Sequence, residues 1–330
     1  MGQTYAPPFD STGLLGHRRR TIAAYDAPVT TRTSPAPRFV LPLRPATLRA
    51  MRDGAIAACV VLAAAHLLGL VDIGVDAYTY WTADPSSPYT SAAPGTAQAY
   101  FYSPAFAQLT APIHLLPWQV FIAAWTVLLA AALVWQAGLW TAIALLLVPV
   151  FVDLTVGNIH ILLGAAIMLG FRWPWTWAFV FLTKITPGVG VLWFAFRREW
   201  RKLAIALAAT GLIAGASFLY APNLWREWID FIGSTPEGGS VAQFQIPIPL
   251  WLRLPAAFAL VVWGALNDRR WTVPVAATFA LPVLWVSGFA ICAALASEPL
   301  RQTANPRVGS QDEPAVPLRG AGAPEPRPTD

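Results

Sequence analysis

Asp72 and Asp76 stand four residues apart in the run Asp72-Ile73-Gly74-Val75-Asp76-Ala77-Tyr78-Thr79-Tyr80-Trp81. If one helix continued through both, they would share a face. Two carboxylates close together in a partly dry site hold different proton affinities, which suits one of them to general-base work. The pair also reads as simple solvation of a helix end. Farther on, Tyr100-Phe101-Tyr102-Ser103-Pro104 begins an aromatic, proline-rich run. It reads either as an interfacial belt or as a surface that stacks a sugar or guides a lipid. Lys184 is flanked by Phe179, Val180, Phe181 and Leu182 on one side and by Pro187, Val189 and Val191 on the other. A cation at membrane depth costs about 2.5–3.5 kcal/mol unless it pairs or faces water. Lys184 therefore either snorkels to the interface or binds an anion, with the Pro187-Gly188-Val189-Gly190 stretch loosening backbone N–H groups to help. Asp153 and the group Gly157-Asn158-Ile159-His160 fall between two apolar blocks. With His66 and His114 isolated in the sequence, no metal-ligand spacing appears, and neither a metal nor a cofactor is called for.

The elements that must carry these residues are membrane helices. The hydrophobic fraction is 56% and the charged fraction 12%, with a mean hydropathy of +0.52, outside the usual range of a soluble domain. The net charge of +5 comes from arginines in the N-terminal tail and in short clusters between apolar blocks. That placement speaks for membrane topology and against a nucleic-acid partner. Cys59 and Cys292 each lie in apolar surroundings and suggest no disulfide framework.

The sequence predicts an all-α, polytopic transmembrane bundle of about eight to nine segments with a long first external loop. Spans are expected near residues 54–71, 118–137, 139–154, 158–171, 203–220, 250–266 and 271–295, with a broken helix or hairpin over 173–196. Residues 1–48 read as a disordered cytoplasmic tail, 49–297 as the transmembrane domain and 298–330 as a second disordered tail. Arg49 and Arg52 precede the first span, whereas residues 72–117 contain no Lys or Arg. This asymmetry predicts a multi-pass protein of the cell membrane with its N-terminus in the cytoplasm and its first loop outside.

Taken in order, Asp76-Ala77-Tyr78-Thr79-Tyr80-Trp81, Pro88-Tyr89, Phe101-Tyr102-Ser103-Pro104, Gly157-Asn158 and Lys184-Ile185-Thr186-Pro187 form a series. Followed by Arg197-Arg198-Glu199-Trp200-Arg201, it resembles the bacterial polyprenol-phosphate-mannose-dependent alpha-mannosyltransferases, membrane glycosyltransferases of the C-type fold. The likeness covers about residues 54–205. It departs from the family at His160, where Asn is frequent, and in the second long loop, residues 221–249, which lacks an Asn-x-Ser type signature.

The resemblance implies an inverting transfer of a sugar, mannose foremost, from a polyprenyl-phosphate donor to a lipid or glycan acceptor on the external face. It implies a catalytic carboxylate at Asp76, with Asp72 as its neighbour. Lys184 is the expected cation for the donor phosphate, and Tyr78, Tyr80, Tyr102, Asn158 and His160 are the expected substrate contacts. Two readings from other classes stand beside it. One is a small-solute transporter with Asp153, Lys184 and the broken helix lining a path; the other is a catalytically inactive scaffold of the same fold.

Overall fold

In the computed structural model, residues 44–234 and 245–297 are described, apart from Ser91, Gly95 and Ala97. The expected tails, save residues 44–48, lie outside the described residues, as does part of the second long loop. Every regular element among the described residues is helical, and the one extended pairing is an isolated bridge between Gln245 and Trp285.

Helix α1 (Pro45–Leu67) opens with proline at its first position, where the missing N–H costs no hydrogen bond. After it come two short helices, α2 (Val75–Thr82) and α3 (Pro104–Thr110), the latter capped by the Ser103 side chain on Phe106 N–H. Helix α4 (Trp118–Ala137) coincides with the expected second span and ends at Gly138, whose φ is 54°. Helices α5 (Thr141–Leu146) and α6 (Val148–Val156) are separated at Leu147, and α7 (His160–Gly170) follows. Next come α8 (Trp177–Thr183), α9 (Leu192–Phe196), α10 (Trp200–Tyr220), α11 (Pro222–Gly233), α12 (Leu250–Leu266) and α13 (Thr272–Phe279). A 3-10 helix, Val286–Ala296, completes the described chain.

By length and composition, three helical stretches among the described residues can cross a bilayer: Pro45–Leu67, Trp118–Leu146 and Trp200–Tyr220. A fourth arises if α6 and α7, bent by 109°, are one broken span. The expectation of about eight to nine segments is met only to this extent, because prolines and glycines divide apolar runs that hydropathy alone reads as continuous. Pro149 lies at the start of α6 and splits the span expected over 139–154. The segment expected over 271–295 is likewise α13, a break at residues 280–285 and the 3-10 helix. The break expected within 173–196 is present: α8 stops at Lys184, which is extended, and a 3-10 turn, Thr186–Val191, leads into α9.

Among the described residues the packing has two main cores, beside a small cluster of Met168, Ala294 and Phe171. The smaller joins Cys59 of α1, Leu129 and Leu133 of α4, Val150 and Leu154 of α6, Ile161 of α7 and Ala290 of the 3-10 helix. The larger runs from Ala77 and Tyr80 of α2, through Tyr102 and Phe106, to Trp177, Trp193, Phe194 and the apolar faces of α12 and α13. Helix α10 leaves Leu212 and Leu219 open at 74% and 83% exposure, as expected where lipid is the neighbour. Where α12 meets the break at 280–285, the buried Arg253 guanidinium donates to the carbonyls of Ile248, Phe279, Leu281 and Pro282. The Phe279, Leu281 and Pro282 carbonyls lie at or beyond the end of α13, where helical partners are lost, and the guanidinium's fixed fork of donors satisfies several at once.

Candidate active site

The site forms where α2 packs against α4 and α6. Gly74 caps α2 in a left-handed conformation, φ 118°, and a Cβ there would lie 2.7 Å from Ile122 Cδ1. Because α2 starts only at Val75, Asp72 stays outside it. The face expected to hold both acids is therefore not formed. Asp72 is exposed and accepts a 3.3 Å hydrogen bond from Trp118 Nε1.

Asp76, in the first turn of α2, is turned inward. Its Oδ2 accepts a 2.6 Å hydrogen bond from Asn158 Nδ2, and among the described residues its Oδ1 accepts none. Burial pushes the Asp76 carboxyl above the usual carboxylate range, while the Asn158 bond and the positive charge of Lys184 pull the other way. The result is a carboxylate with one oxygen fixed by Asn158 and the other without a hydrogen-bond donor among the described residues.

Asn158 is delivered by the sharp turn between α6 and α7. Gly157 ends α6 at φ 74°, and a Cβ on it would meet Ala77 Cβ at 2.6 Å, so only glycine lets α2 come this close. Trp125 Nε1 donates to the Gly157 carbonyl at 2.8 Å. The Asn158 side chain is oriented in turn by Ile159 N–H, which donates to its Oδ1 at 2.7 Å.

Below that turn lies a chain of three ionisable groups. Asp153 and His160 are both fully buried, with His160 Nδ1 2.8 Å from Asp153 Oδ1. Asp153 Oδ2 accepts Ile161 N–H at 3.0 Å, at the N-terminus of α7. His160 Nε2 is 3.1 Å from Lys184 Nζ. An ammonium can only donate, so Nε2 accepts, Nδ1 carries the ring proton, and the imidazole is neutral. Lys184 is reached from α8, and the Ser103 hydroxyl fixes the end of that helix by donating to the Leu182 carbonyl at 2.6 Å. The ammonium lies 5.8 Å from the Tyr102 ring centroid.

The expected aromatic contacts divide into two groups. Tyr80 and Tyr102 are buried, with their hydroxyls 2.8 Å apart, and Tyr89 donates to the Tyr102 carbonyl at 2.8 Å. Burial holds the phenols of Tyr80 and Tyr102 well above their ordinary value, hence neutral. Tyr78 is instead half-buried, its ring edge-on to Trp118 at 5.2 Å. Thus Asp76, Asn158, Lys184, Tyr80 and Tyr102 come together, whereas both ring nitrogens of His160 are already engaged and Asp72 lies apart. Asp153 was expected to line a path in the transporter reading but was not among the catalytic or substrate contacts expected of a glycosyltransferase. Its signal in the sequence is a lone carboxylate in an apolar block, seven residues before a histidine.

The profile of glycosyltransferase family 87 matches residues 100–309, a stretch that includes Tyr102, Asp153, Asn158, His160 and Lys184 and begins after Asp76. A polyprenol-phosphate-mannose-dependent alpha-(1-2)-phosphatidylinositol pentamannoside mannosyltransferase of Mycolicibacterium smegmatis is 25% identical over 256 residues, covering 63% of this chain. The chain spans 60% of that relative's length. No solved structure matches.

Proposed function

The chain belongs to glycosyltransferase family 87, and from that premise we propose that it transfers mannose from a polyprenyl-phosphate donor to a lipid or glycan acceptor. The observation that carries the reading is a carboxylate with one oxygen left without a donor, Asp76, close enough to a positioned cation, Lys184, to be influenced by its charge. An acceptor hydroxyl gives its proton to Asp76 Oδ1 as its oxygen forms a bond to the anomeric carbon. The bond from that carbon to the phosphate oxygen breaks, and the phosphate leaves with the electron pair. Attack opposite the departing phosphate inverts the anomeric centre. A phosphate is a good leaving group, so the reaction needs a base and charge stabilisation more than a general acid. Lys184 supplies that stabilisation. Tyr80 and Tyr102 form the wall beside it, and Asn158 keeps the base oriented.

The external face is favoured by the absence of Lys and Arg from residues 72–117, against Arg49 and Arg52 ahead of α1. On that side a lipid-borne donor presents its sugar at the interface, where the half-buried Tyr78, Trp81 and Trp118 cluster.

Purified protein in detergent, given radiolabelled polyprenyl-phosphate-mannose and membrane lipid acceptors, is expected to consume the donor and to label an acceptor with inverted configuration. Solute uptake by sealed vesicles without any lipid-linked sugar, together with an untouched donor, would overturn the proposal in favour of transport.

A further inference from the structure

Asp153 and His160 are each 0% exposed, so neither can touch a donor or an acceptor. Yet they form one hydrogen-bonded line that ends on the Lys184 ammonium, through links of 2.8 Å and then 3.1 Å. Each of the three members comes from a different element: α6, the first residue of α7, and the break after α8. A buried carboxylate is costly unless every oxygen is paired. Here Oδ1 is taken by His160 and Oδ2 by Ile161 N–H.

We infer that Asp153 and His160 are positioning residues that hold the Lys184 ammonium where the donor phosphate departs. The inference rests on the proposed reading of Lys184 as the phosphate-binding cation. A lysine has a long flexible stem and three equivalent donors, so charge alone does not fix where its head lies. The neutral imidazole gives it one acceptor at one place. The Asp153 carboxylate selects that tautomer by accepting the hydrogen bond from Nδ1–H, the role an outer-shell carboxylate plays behind a functional histidine. One ammonium direction is used by His160, leaving the others for the Tyr102 ring and the donor phosphate. Removing the histidine leaves the cation present but unaimed.

The experiment is a double-mutant cycle. His160→Phe keeps the ring's bulk and removes the acceptor, whereas His160→Gln keeps an acceptor oxygen at the reach of Nε2. Both are combined with Lys184→Ala and compared with Asp153→Asn, with folding checked by size exclusion and thermal unfolding in detergent. Two readouts are taken: kcat and donor KM for transfer from polyprenyl-phosphate-mannose, and equilibrium binding of polyprenyl phosphate, which needs no turnover.

His160→Phe is expected to lower kcat by about tenfold or more, the scale of outer-shell partners, with a smaller rise in donor KM. The asymmetry follows because the aimed cation matters most as charge builds on the leaving phosphate. His160→Gln should recover part of the loss, and Asp153→Asn should fall on the same side as His160→Phe. In the Lys184→Ala background, His160→Phe should have no further effect on either readout.

Losses that multiply in the double variant, or a folded His160→Phe protein with unchanged kcat and binding, would overturn the inference while leaving the proposed function standing. A wild type that binds polyprenyl phosphate and shows the non-additive cycle in binding, but transfers nothing, leaves the inference standing and removes the proposed function. A wild type that neither binds nor transfers overturns both.

Discussion

Asn158 Nδ2 donates a 2.6 Å hydrogen bond to Asp76 Oδ2, joining residues 82 positions apart in the chain. The bond couples the α6–α7 turn to the first turn of α2, and it fixes the carboxylate that the proposed reaction needs as a base.

Replacing Asn158 by Ala removes one of the two influences that favour the ionised form of Asp76. The carboxyl is already raised by burial, so losing the donor raises it further. At a given pH a larger fraction is then protonated and unable to accept the acceptor's proton. The acid limb of the kcat/KM profile for mannose transfer is expected to move to higher pH in Asn158→Ala. A limb that stays in place, or moves to lower pH, contradicts this role for the pair.

Gly157→Ala places a Cβ against Ala77 Cβ at a backbone φ of 74°. Overpacking and the left-handed conformation together are expected to cost about 2–4 kcal/mol, seen as a lower midpoint in thermal unfolding. Ala77→Gly in the same chain should restore part of the loss by relieving the contact while leaving the φ strain. No recovery on adding Ala77→Gly would mean that the close approach of α2 is not what Gly157 serves.

Arg253→Met leaves four carbonyls around the break at 280–285 without their donor. A loss of about 3 kcal/mol or more in unfolding free energy is expected, the size of two charge-assisted hydrogen bonds. Methionine matches the stem but donates nothing, so a variant as stable as wild type in denaturant titration would count against the clamp.

Ser103→Ala removes the hydroxyl that donates to the Leu182 carbonyl two residues before Lys184. An expected cost of about 1 kcal/mol in stability should be accompanied by a higher donor KM, because the end of α8 carries the cation. A stability change with the donor KM intact would separate the latch from the site.

Much of this site was legible in the sequence because its members are conspicuous. Asp76, Asn158 and Lys184 are polar groups in apolar surroundings, and such groups are expensive unless they work or pair. The Asp153–His160–Lys184 line was not legible. Its members are separated by seven and 24 residues across a bend of 109°, and no helical or strand period joins them. Asp72 failed for a local reason: Gly74 takes a left-handed conformation that starts α2 afresh, so the four-residue spacing never becomes a shared face. Fewer helices among the described residues are long enough to span than the hydropathy suggests, for a related reason. Hydropathy adds Leu147 and the residues around Pro149 into one apolar run, whereas the backbone turns between α5 and α6. Gly74 and Pro149 stood in the sequence, but which of them breaks a helix depends on what packs beside it.

The most direct test of the account is the single-turnover rate of mannose transfer from polyprenyl-phosphate-mannose by wild type and by Asp76→Asn, which keeps the shape of the side chain and removes the base. The account predicts a fall of about 10²–10⁴-fold with donor binding retained, the range for loss of a general base. A folded Asp76→Asn protein that transfers mannose at the wild-type rate would contradict it.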